Sequence, residues 1–307
     1  MYELVIIGGG PGGVAAGVYA ARKKINTLLI TESFGGQSIV STDVQNWIGT
    51  KSVSGFDLAQ MLEGHLRAQE GIEIVDGERV RAVKEIENGL EIETENGKSF
   101  KTKFLLVISG SHHRKLNIPG EKEFDGKGVV YCSTCDAPLF NGKTVAVVGG
   151  GNAGLEAVID LFPYAPKIYL LEYTNTLKGD PVTQEKVKAS DKVEIFMQAQ
   201  ALEVKGDGLV KSLSYKDLIT GEVRELAIDG VFVEIGALPN SDFIKGLAEL
   251  NGFGEIIVDH KTQKTSHPRI WAAGDVSDVL YKQNNISAGD AVKAVLDIYG
   301  HTTRQAE

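Results

Sequence analysis

The chain has 307 residues, of which 42% are hydrophobic, and it carries a net charge of −9 at pH 7. That acidic balance argues against general nucleic-acid binding, which needs a basic face, and against docking on an anionic membrane surface. No apolar run reaches the roughly 18 residues that span a bilayer, and the N-terminus lacks the features of a signal peptide, so we expect a cytoplasmic protein. The length suits two domains.

The first part of the chain has the pattern of a βαβ unit around a glycine-rich turn. Strand, helix and strand are predicted at residues 2–7, 14–23 and 26–31. Gly8, Gly10 and Gly13 occupy the G-x-G-x-x-G positions, and Glu32 follows roughly 20 residues later. This context predicts a dinucleotide site in which the pyrophosphate meets the helix N-terminus and Glu32 accepts from a ribose hydroxyl. The alternative is a glycine turn without a ligand.

The next part of the chain alternates charged and apolar residues. Residues 80–102 carry breaks at the two ENG triplets, a pattern typical of an antiparallel β-meander. The apolar run KFLLVISG, residues 103–110, then predicts a return to buried strand.

The same order of elements returns in the second half of the chain. Strand, helix and strand are predicted at residues 144–148, 155–162 and 167–171. Gly149, Gly151 and Gly154 repeat the glycine pattern, and Glu172 takes the place of the first acid. A carboxylate there bonds a free 2′-hydroxyl and repels a 2′-phosphate, and the segment YTNTLKGD has no arginine and only Lys178 as a cation. We therefore predict that this second site prefers NADH to NADPH.

The remaining elements complete two similar halves. A hairpin-like stretch is predicted at 201–228, a strand with a glycine turn at 230–240, a strand in RIWAAGD and a closing helix near 286–299. Asp275 of that strand suits the ribityl and phosphate part of a dinucleotide, although an ordinary turn residue is an equal alternative. The predicted fold class is α/β, with two Rossmann-like nucleotide-binding domains, the second inserted in the first, each with an antiparallel β-meander. The candidate hinges are residues 115–124 and the region after Pro239.

Cys132 and Cys135, in YCSTCD, are the only cysteines of the chain. Zinc needs about four ligands, and the six histidines supply no pair at ligand spacing. Inert buried cysteines are a second alternative, against which stand the small polar neighbours and Asp136. The third is a redox dithiol, which fits two dinucleotide sites: a nicotinamide delivers a hydride, a flavin accepts it, and the disulfide takes both electrons.

At this point the sequence resembles the low-molecular-weight thioredoxin reductases. The ordered motifs are GGGPGG, FGGQS, IPG, CSTCD, GGGNAG, EIGALPN and AAGDVSDVLYKQ, and the resemblance covers essentially the whole chain. It is closest to the branch that contains the flavoprotein subunit of alkyl hydroperoxide reductase, and we expect this chain to lack the additional N-terminal thioredoxin-like domain of that protein.

The resemblance implies a set of cofactor residues. An FAD-binding domain would comprise residues 1–115 and 245–307, and an NAD(P)-binding domain with the Cys-x-x-Cys would comprise residues 116–244. The residues implied for FAD are Gly8, Gly10, Pro11, Gly12, Gly13, Glu32, Gly36, Gln37, Asn46, Val80, Gly110, Gly274, Asp275, Lys282, Gln283 and Asn284. Those implied for NAD(P)H are Gly149, Gly151, Asn152, Ala153, Gly154, Glu172 and Gly236. No metal is expected.

The resemblance also implies catalytic roles. The flavin would lie near Cys135, Cys132 would attack the partner disulfide, and Asp136 would be the acid that protonates the leaving thiolate or the flavin. The family is typically a homodimer whose nicotinamide domain rotates between two arrangements. Two departures matter: EYTNTLK stands where NADPH-using members have HRRxxxR, and Asn284 follows YKQ where the family has alanine.

The sequence thus predicts a thioredoxin-disulfide reductase that passes electrons from NADH, with NADPH the less favoured donor, through FAD and the cysteine pair to thioredoxin or a thioredoxin-like or glutaredoxin-like protein. One alternative is an NADH-dependent reductase that feeds a peroxiredoxin system. Others are a ferredoxin-linked flavin disulfide reductase, against which the intact second glycine turn argues, and a redox-sensing module without turnover. A dehydrogenase acting on a small metabolite would not need the thiols.

Overall fold

The computed structural model describes residues 1–41 and 43–304. The chain divides into two compact units: unit 1 comprises Met1–His112 and Leu238–Glu307, and unit 2 comprises His113–Ala237. The predicted α/β class is confirmed, with unit 2 inserted in the sequence of unit 1. The chain passes between the units at 112/113 and 237/238, whereas the sequence predicted boundaries at 115/116 and 244/245, so the crossing points lie at two short strands.

The elements follow in chain order. The first part of unit 1 contains β1 (Tyr2–Gly9), α1 (Pro11–Arg22), β2 (Thr27–Phe34), α2 (Gly55–Arg67), β3 (Ile72–Asp76), β4 (Val80–Ile86), β5 (Gly89–Thr94), β6 (Ser99–Val107) and β7 (Ser111–His113). Unit 2 contains β8 (Val129–Val130), α3 (Ser133–Asp136), β9 (Thr144–Val148), α4 (Asn152–Leu161), β10 (Lys167–Glu172), α5 (Pro181–Lys188), β11 (Val193–Met197), β12 (Ala199–Asp207), β13 (Leu209–Asp217), β14 (Val223–Ala227) and β15 (Gly230–Val233). The chain then continues with β16 (Ala237–Pro239), β17 (Ile270–Ala272) and α6 (Asn284–Arg304).

Unit 1 is built on one seven-stranded sheet in the order β3-β2-β1-β6-β5-β4, with β17 also paired to β6. Strand β1 runs parallel to β2 and β6, and its alternate residues enter two different cores. Leu4 and Ile6 pack with the apolar faces of α1 and α6, whereas Val5 and Ile7 pack on the opposite side of the sheet. Burial on both faces explains why this strand is an unbroken apolar run in the sequence.

The buried strand predicted at residues 103–110 is confirmed over residues 103–107, where it continues the predicted meander without a break. β6 is one continuous strand that begins at Ser99. Its first half pairs antiparallel with β5, and its second half pairs parallel with β1 and β17. The reason lies in the alternation itself: exposed Lys101 and Lys103 flank buried Thr102, and buried Phe104 continues the same alternation into the apolar run. The predicted meander is therefore part of the main sheet.

Unit 2 contains a five-stranded parallel sheet, β11-β10-β9-β15-β8, and a three-stranded antiparallel sheet, β12-β13-β14. The predicted strands at 144–148 and 167–171 are confirmed, and the helix between them begins at Asn152, directly after the glycine turn. Among the described elements, α2 and β3 in unit 1 and α5 and β11 in unit 2 were not predicted, and neither were the short elements β7, β8 and α3. Helix α5 buries only Val187, so its sequence lacks a clear apolar periodicity.

No helix within the described residues is both long enough and apolar enough to cross a lipid bilayer.

Candidate functional site

The glycine turn of unit 1 joins β1 to α1. Gly8 has φ +123°, and a Cβ there would collide with the carbonyl oxygen of Ile108. A Cβ on Gly13 would collide with the carbonyl oxygen of Gly8, so this glycine allows the helix to pack against the strand end. By contrast, only the Cα of Gly36, at 3.8 Å, lies near the position that a Cβ on Gly10 would take. The turn requires glycine at the first and last positions of the motif, because a side chain there would collide with the backbone, whereas the middle glycine faces open space.

The glycine turn of unit 2 has the same geometry. Gly149 has φ +122°, and a Cβ there would collide with the carbonyl oxygen of Glu234. A Cβ on Gly154 would collide with the carbonyl oxygen of Gly149, and no atom lies within 4 Å of a Cβ on Gly151. The internal repeat that the sequence predicts is therefore a repeat of backbone geometry as well.

Both helices that follow these turns begin without a side-chain cap. Gly10 precedes α1 and Gly151 precedes α4, each with extended backbone, and neither end receives a side-chain hydrogen bond from the described residues. The first N–H groups of a helix need acceptors, and its N-terminus carries partial positive charge. Open space beside uncapped donors fits the pyrophosphate of a dinucleotide at each turn.

Several residues that the resemblance assigns to FAD surround the first turn. Gly36 lies next to Gly10, and the following Gln37 donates from Nε2 to Asp275 Oδ2 and to Ser111 Oγ, each over 3.3 Å. Burial raises the pKa of the Asp275 carboxyl, and the ammonium of Lys282 opposes that rise. The structure thus brings together residues from distant parts of the sequence.

The N-terminal end of α6 is held against the same region. Asn46 Nδ2 donates to Gln283 Oε1 over 3.2 Å, and Asn284 Nδ2 donates to Ser38 Oγ over 2.7 Å. Lys282 differs from these residues, because its ammonium donates to the Ser277 carbonyl over 2.6 Å and pairs with Glu255 over 2.8 Å. Its partners are within the protein, so Lys282 holds the loop around Asp275.

Ser287 of α6 is a residue of this region that sequence reasoning missed. A Cβ on either Gly12 or Gly274 would collide with its hydroxyl oxygen. Pro11, also implied for FAD, is the first residue of α1 and is buried. Two glycines from distant motifs therefore make room for one serine, for which the sequence contains no local signal.

Three other residues implied for FAD lie in different surroundings. Glu32 lies within β2 and is exposed, so the strand does not end there as predicted. Val80 is buried in the core beside β5, so only its backbone can meet a ligand. Gly110 has φ +67°, lies in open space and accepts at its carbonyl from the Asn240 N–H over 2.9 Å.

Glu172 of the second unit is buried, and its carboxylate is largely occupied. Oε2 accepts from the Gly150 N–H over 2.6 Å, and Oε1 accepts from the N–H and the hydroxyl of Thr174, both over 2.7 Å. Each carboxylate oxygen can accept about two bonds, so one position on Oε2 remains for a ribose hydroxyl. The carboxylate is thereby held at the glycine turn.

The segment after Glu172 borders a cavity of about 490 Å³. Its lining residues are Asn175, Thr176, Leu177, Gln184, Lys188, Ile195 and Met197, among which Lys188 is the only cation. Three further residues are implied for NAD(P)H. Asn152 and Ala153 begin α4, where Asn152 Oδ1 accepts from the Asp180 N–H over 2.7 Å and Ala153 is exposed, and Gly236 follows β15 with φ +97°.

Cys132 and Cys135 are joined by a disulfide, with 5.4 Å between their Cα atoms. They stand at the start and within the single turn of α3, whose residues are Ser133–Asp136, and Cys135 is exposed. The Asp136 N–H donates to the Cys132 carbonyl over 3.0 Å, and Ser133 Oγ donates to Asp160 Oδ2 over 2.8 Å. Among the residues described, no group of three or more His, Cys, Asp or Glu is arranged to hold a metal.

Burial raises the pKa of Asp136 to about 6. A carboxyl that titrates near neutral pH and follows a disulfide is suited to move a proton when the disulfide opens. A second carboxyl nearby, that of Glu234, was missed by sequence reasoning, although its motif EIGALPN was noted. Burial is also the main cause that raises the Glu234 pKa, to about 8.

The raised pKa of Asp136 predicts a pH-dependent cost in stability. The folded-state pKa, about 6, exceeds the ordinary value near 3.9, so ionisation destabilises the fold as pH rises through this window. We expect Asp136→Asn to raise the stability of unit 2 by about 1–2 kcal/mol at pH 7.5, and by much less at about pH 4. Denaturant unfolding of the full chain at both pH values measures this, and an equal gain at both would contradict it.

Comparisons with known proteins agree with this geometry. The model of the family described as pyridine nucleotide-disulphide oxidoreductase matches residues 2–294. The F subunit of alkyl hydroperoxide reductase of Pseudomonas putida is 44% identical over 99% of this chain and 58% of its own length. A protein from Bacillus subtilis named NADH dehydrogenase is 40% identical over 99% of this chain and 59% of its own length. The crystal structure of thioredoxin reductase from Streptococcus pyogenes superposes with a TM-score of 0.93 at 30% identity, and the match covers 99% of both chains.

The chain spans somewhat less than two thirds of the curated relatives it matches, as the shares of 58% and 59% indicate. The resemblance to thioredoxin reductases that the ordered motifs predict is confirmed. The family model covers nearly the whole chain, including both glycine turns and the disulfide. The chain therefore belongs to the pyridine nucleotide-disulphide oxidoreductase family, whose flavin-dependent chemistry matches its paired dinucleotide turns and its disulfide.

Proposed function

We propose that this protein reduces the disulfide of thioredoxin or of a thioredoxin-like or glutaredoxin-like protein, with electrons from NADH. The observation that carries the proposal is the disulfide between Cys132 and Cys135, followed directly by Asp136. In a chain with two dinucleotide turns and no other cysteine, this disulfide is the one group that can exchange with an external disulfide.

FAD is the proposed cofactor of unit 1. The turn from Gly8 to Gly13 would hold the pyrophosphate, and Glu32, which is exposed, would accept from a ribose hydroxyl. Asp275, Gln37 and the start of α6 would enclose the remainder of the molecule. When bound, FAD supplies two-electron transfer between a nicotinamide and a disulfide.

The thiol turn is the segment from Cys132 to Asp136, and we assign separate roles to its two cysteines and to Asp136. Two electrons break the Cys132–Cys135 bond and, with one proton, leave one sulfur as a thiol and the other as a thiolate. Cys132 would then attack the partner disulfide, and Cys135 would displace the reduced partner as the intramolecular disulfide forms again. Asp136 would carry the proton that this cycle requires, because its pKa of about 6 lets it both donate and accept near neutral pH.

An insulin-reduction assay with NADH and a panel of thioredoxins tests this function. We expect turnover with at least one thioredoxin-like protein, and dependence on added FAD after the flavin has been removed. A chain that neither binds FAD nor reduces any disulfide protein would rule the proposal out. A homodimer in the cytoplasm remains a prediction that goes with this function.

A second candidate function is to feed a peroxide-reducing system. The observation that favours it is the 44% identity to a protein whose name assigns it to alkyl hydroperoxide reductase. In that case a separate thioredoxin-like protein would carry electrons from this chain to a peroxiredoxin. The two functions are distinguished by finding which small protein restores peroxide-dependent oxidation of NADH.

The preference for NADH rests on Glu172. Its carboxylate is buried at the glycine turn, with one acceptor position left for a 2′-hydroxyl, and a 2′-phosphate there would meet its negative charge. The name NADH dehydrogenase, borne by the relative from Bacillus subtilis, supports the same donor. We expect kcat/KM to be at least about tenfold higher with NADH than with NADPH.

A cation introduced next to Glu172 is expected to reduce the preference for NADH over NADPH. Asn175 is exposed, borders the cavity and lies outside the hydrogen bonds of Glu172. Asn175→Arg should raise kcat/KM for NADPH by roughly threefold to thirtyfold, because a guanidinium can pair with a 2′-phosphate. Asn175→Gln, the neutral control, should change it little. An equal effect of both variants, or a clear NADPH advantage in the unmodified protein, would contradict the role of charge.

A further inference from the structure

Asp160 joins helix α4 to the thiol turn. Its Oδ2 atom accepts a hydrogen bond from the Ser133 hydroxyl over 2.8 Å, and the Thr134 hydroxyl makes a longer contact of 3.5 Å with the same oxygen. Ser133 and Thr134 are the two residues that separate Cys132 from Cys135. One carboxylate oxygen is therefore bound to the segment between the two sulfurs.

The position of Asp160 in α4 is unfavourable for the helix itself. Helix α4 ends at Leu161, so Asp160 lies in its last turn, and this turn contains no basic residue. A carboxylate there meets the partial negative charge of the helix C-terminus, and aspartate is a weak helix former. The stabilising contact of this acid therefore lies outside the helix, at the hydroxyl groups of the thiol turn.

Helix α4 is a rigid support for this contact. Its residues that are fully buried in the apolar core over β9 and β10 are Leu155, Ala157, Val158 and Leu161. Ser133 is buried as well, whereas Thr134 is exposed. A hydrogen bond to a carboxylate is stronger than one between neutral groups, so the short bond from the buried Ser133 is the main anchor of the turn.

We infer that Asp160 is a positioning residue that lowers the reduction potential of the Cys132–Cys135 disulfide by holding Ser133 between the two sulfurs. When this disulfide is reduced, the S–S bond breaks, and two electrons and two protons give the dithiol. The bond from Ser133 to Asp160 limits how far the segment then opens, so the dithiol closes again with a smaller loss of conformational entropy.

Without this anchor, the dithiol gains conformations that the disulfide cannot adopt, and reduction becomes easier. The inference rests on the proposed function only for the use of this potential in turnover. The equilibrium itself requires neither a nicotinamide nor a protein partner, so it can be measured separately from that function.

Equilibration of the full chain with mixtures of reduced and oxidised dithiothreitol tests the inference. In each exchange the two thiols of dithiothreitol become its cyclic disulfide, while Cys132 and Cys135 become thiols. After an acid quench, the free thiols are alkylated, and mass spectrometry of the tryptic peptide 128–143, which contains both cysteines, gives the reduced fraction. We expect Ser133→Ala to shift the equilibrium constant toward the dithiol by about threefold to thirtyfold. A tenfold shift corresponds to about 30 mV.

A double variant and a matched control isolate the anchor. Asp160→Ala should shift the equilibrium at least as much as Ser133→Ala, and the double variant should match Asp160→Ala alone, because both changes remove the same bond. The control is Thr183→Ala, which removes a hydroxyl that donates to the Asp180 carboxylate over 3.1 Å at the start of α5. It should shift the equilibrium by less than about twofold.

Unfolding of the oxidised and the reduced chain distinguishes positioning from general stabilisation. A bond that supported both forms equally would lower the two stabilities alike and leave the equilibrium unchanged. We expect Ser133→Ala to destabilise the disulfide form more than the dithiol form, by the free energy that corresponds to its shift in equilibrium. Ser133→Ala removes only one oxygen atom, so its comparison with Thr183→Ala decides the inference even if Asp160→Ala does not fold.

Two results would overturn the inference. One is an equilibrium in Ser133→Ala that does not differ from that of Thr183→Ala, and the other is a double variant whose shift is the sum of the two single shifts. Failure of the unmodified protein to reduce any thioredoxin would affect only the proposed function.

Discussion

Cys135→Ser is expected to abolish reduction of thioredoxin-like proteins, with a loss on the order of 10³-fold or more, while NADH still bleaches the bound flavin. Cys135 is one half of the disulfide that would take up the electrons, and serine cannot form that bond. The nicotinamide and flavin turns lie elsewhere in the sequence, so their reaction does not require the sulfur. Anaerobic absorbance spectroscopy and insulin reduction measure the two parts separately.

Thr134→Ser is the control for this prediction. Thr134 is exposed in the same turn, and its hydroxyl lies 3.5 Å from Asp160 Oδ2, so the loss of a methyl group should change turnover by less than about twofold. If Cys135→Ser reduced a protein disulfide at the original rate, electron transfer through the cysteine pair would have to be abandoned.

Asp136→Asn is expected to slow formation of the dithiol by roughly 10²–10⁴, the range for losing one acid–base group. Opening of the disulfide leaves a thiolate that needs a proton, and Asp136 follows Cys135 directly in the chain. Asparagine retains the size and polarity of the side chain but carries no exchangeable carboxyl proton. Single-turnover stopped-flow absorbance with rapid alkylation of the products measures the rate.

The pH dependence of the rate of dithiol formation distinguishes loss of proton donation by Asp136 from a structural change in α3. The pKa of Asp136 is about 6, so its protonated fraction decreases as pH rises above that value. If donation limits the step, the rate should fall by up to about tenfold for each pH unit above 6 in the original protein, and it should be flat in Asp136→Asn. A variant that is slow but keeps the original pH dependence would assign Asp136 a structural role only.

The expected gain in stability gives Asp136→Asn a second measurable effect, which is opposite in direction to its loss of activity. The partly buried carboxyl whose replacement should stabilise the fold is the same group that the reaction needs, so Asp136→Asn should be more stable and less active at pH 7.5. A variant that loses both stability and rate would indicate damage to α3 instead of loss of a proton carrier.

The sequence by itself determined the architecture around both glycine turns. Burial on both faces makes β1 and β9 unbroken apolar runs, and the close approach of backbone at Gly8, Gly13 and Gly149 admits no side chain, so these elements are visible in a single sequence. The pairing of Cys132 with Cys135 was open to three interpretations, and their short spacing is consistent with the disulfide observed.

Only the tertiary structure decided which distant side chains meet. The contacts of Ser287 with Gly12 and Gly274, and of Gln37 with Asp275, have no local signal in the sequence, because they depend on how strands and helices from remote parts of the chain pack. Helix α5 escaped prediction because one buried residue leaves no periodicity. The pKa values of Asp136 and Glu234 depend on desolvation, which arises only when the surrounding elements exclude water from the carboxyl groups.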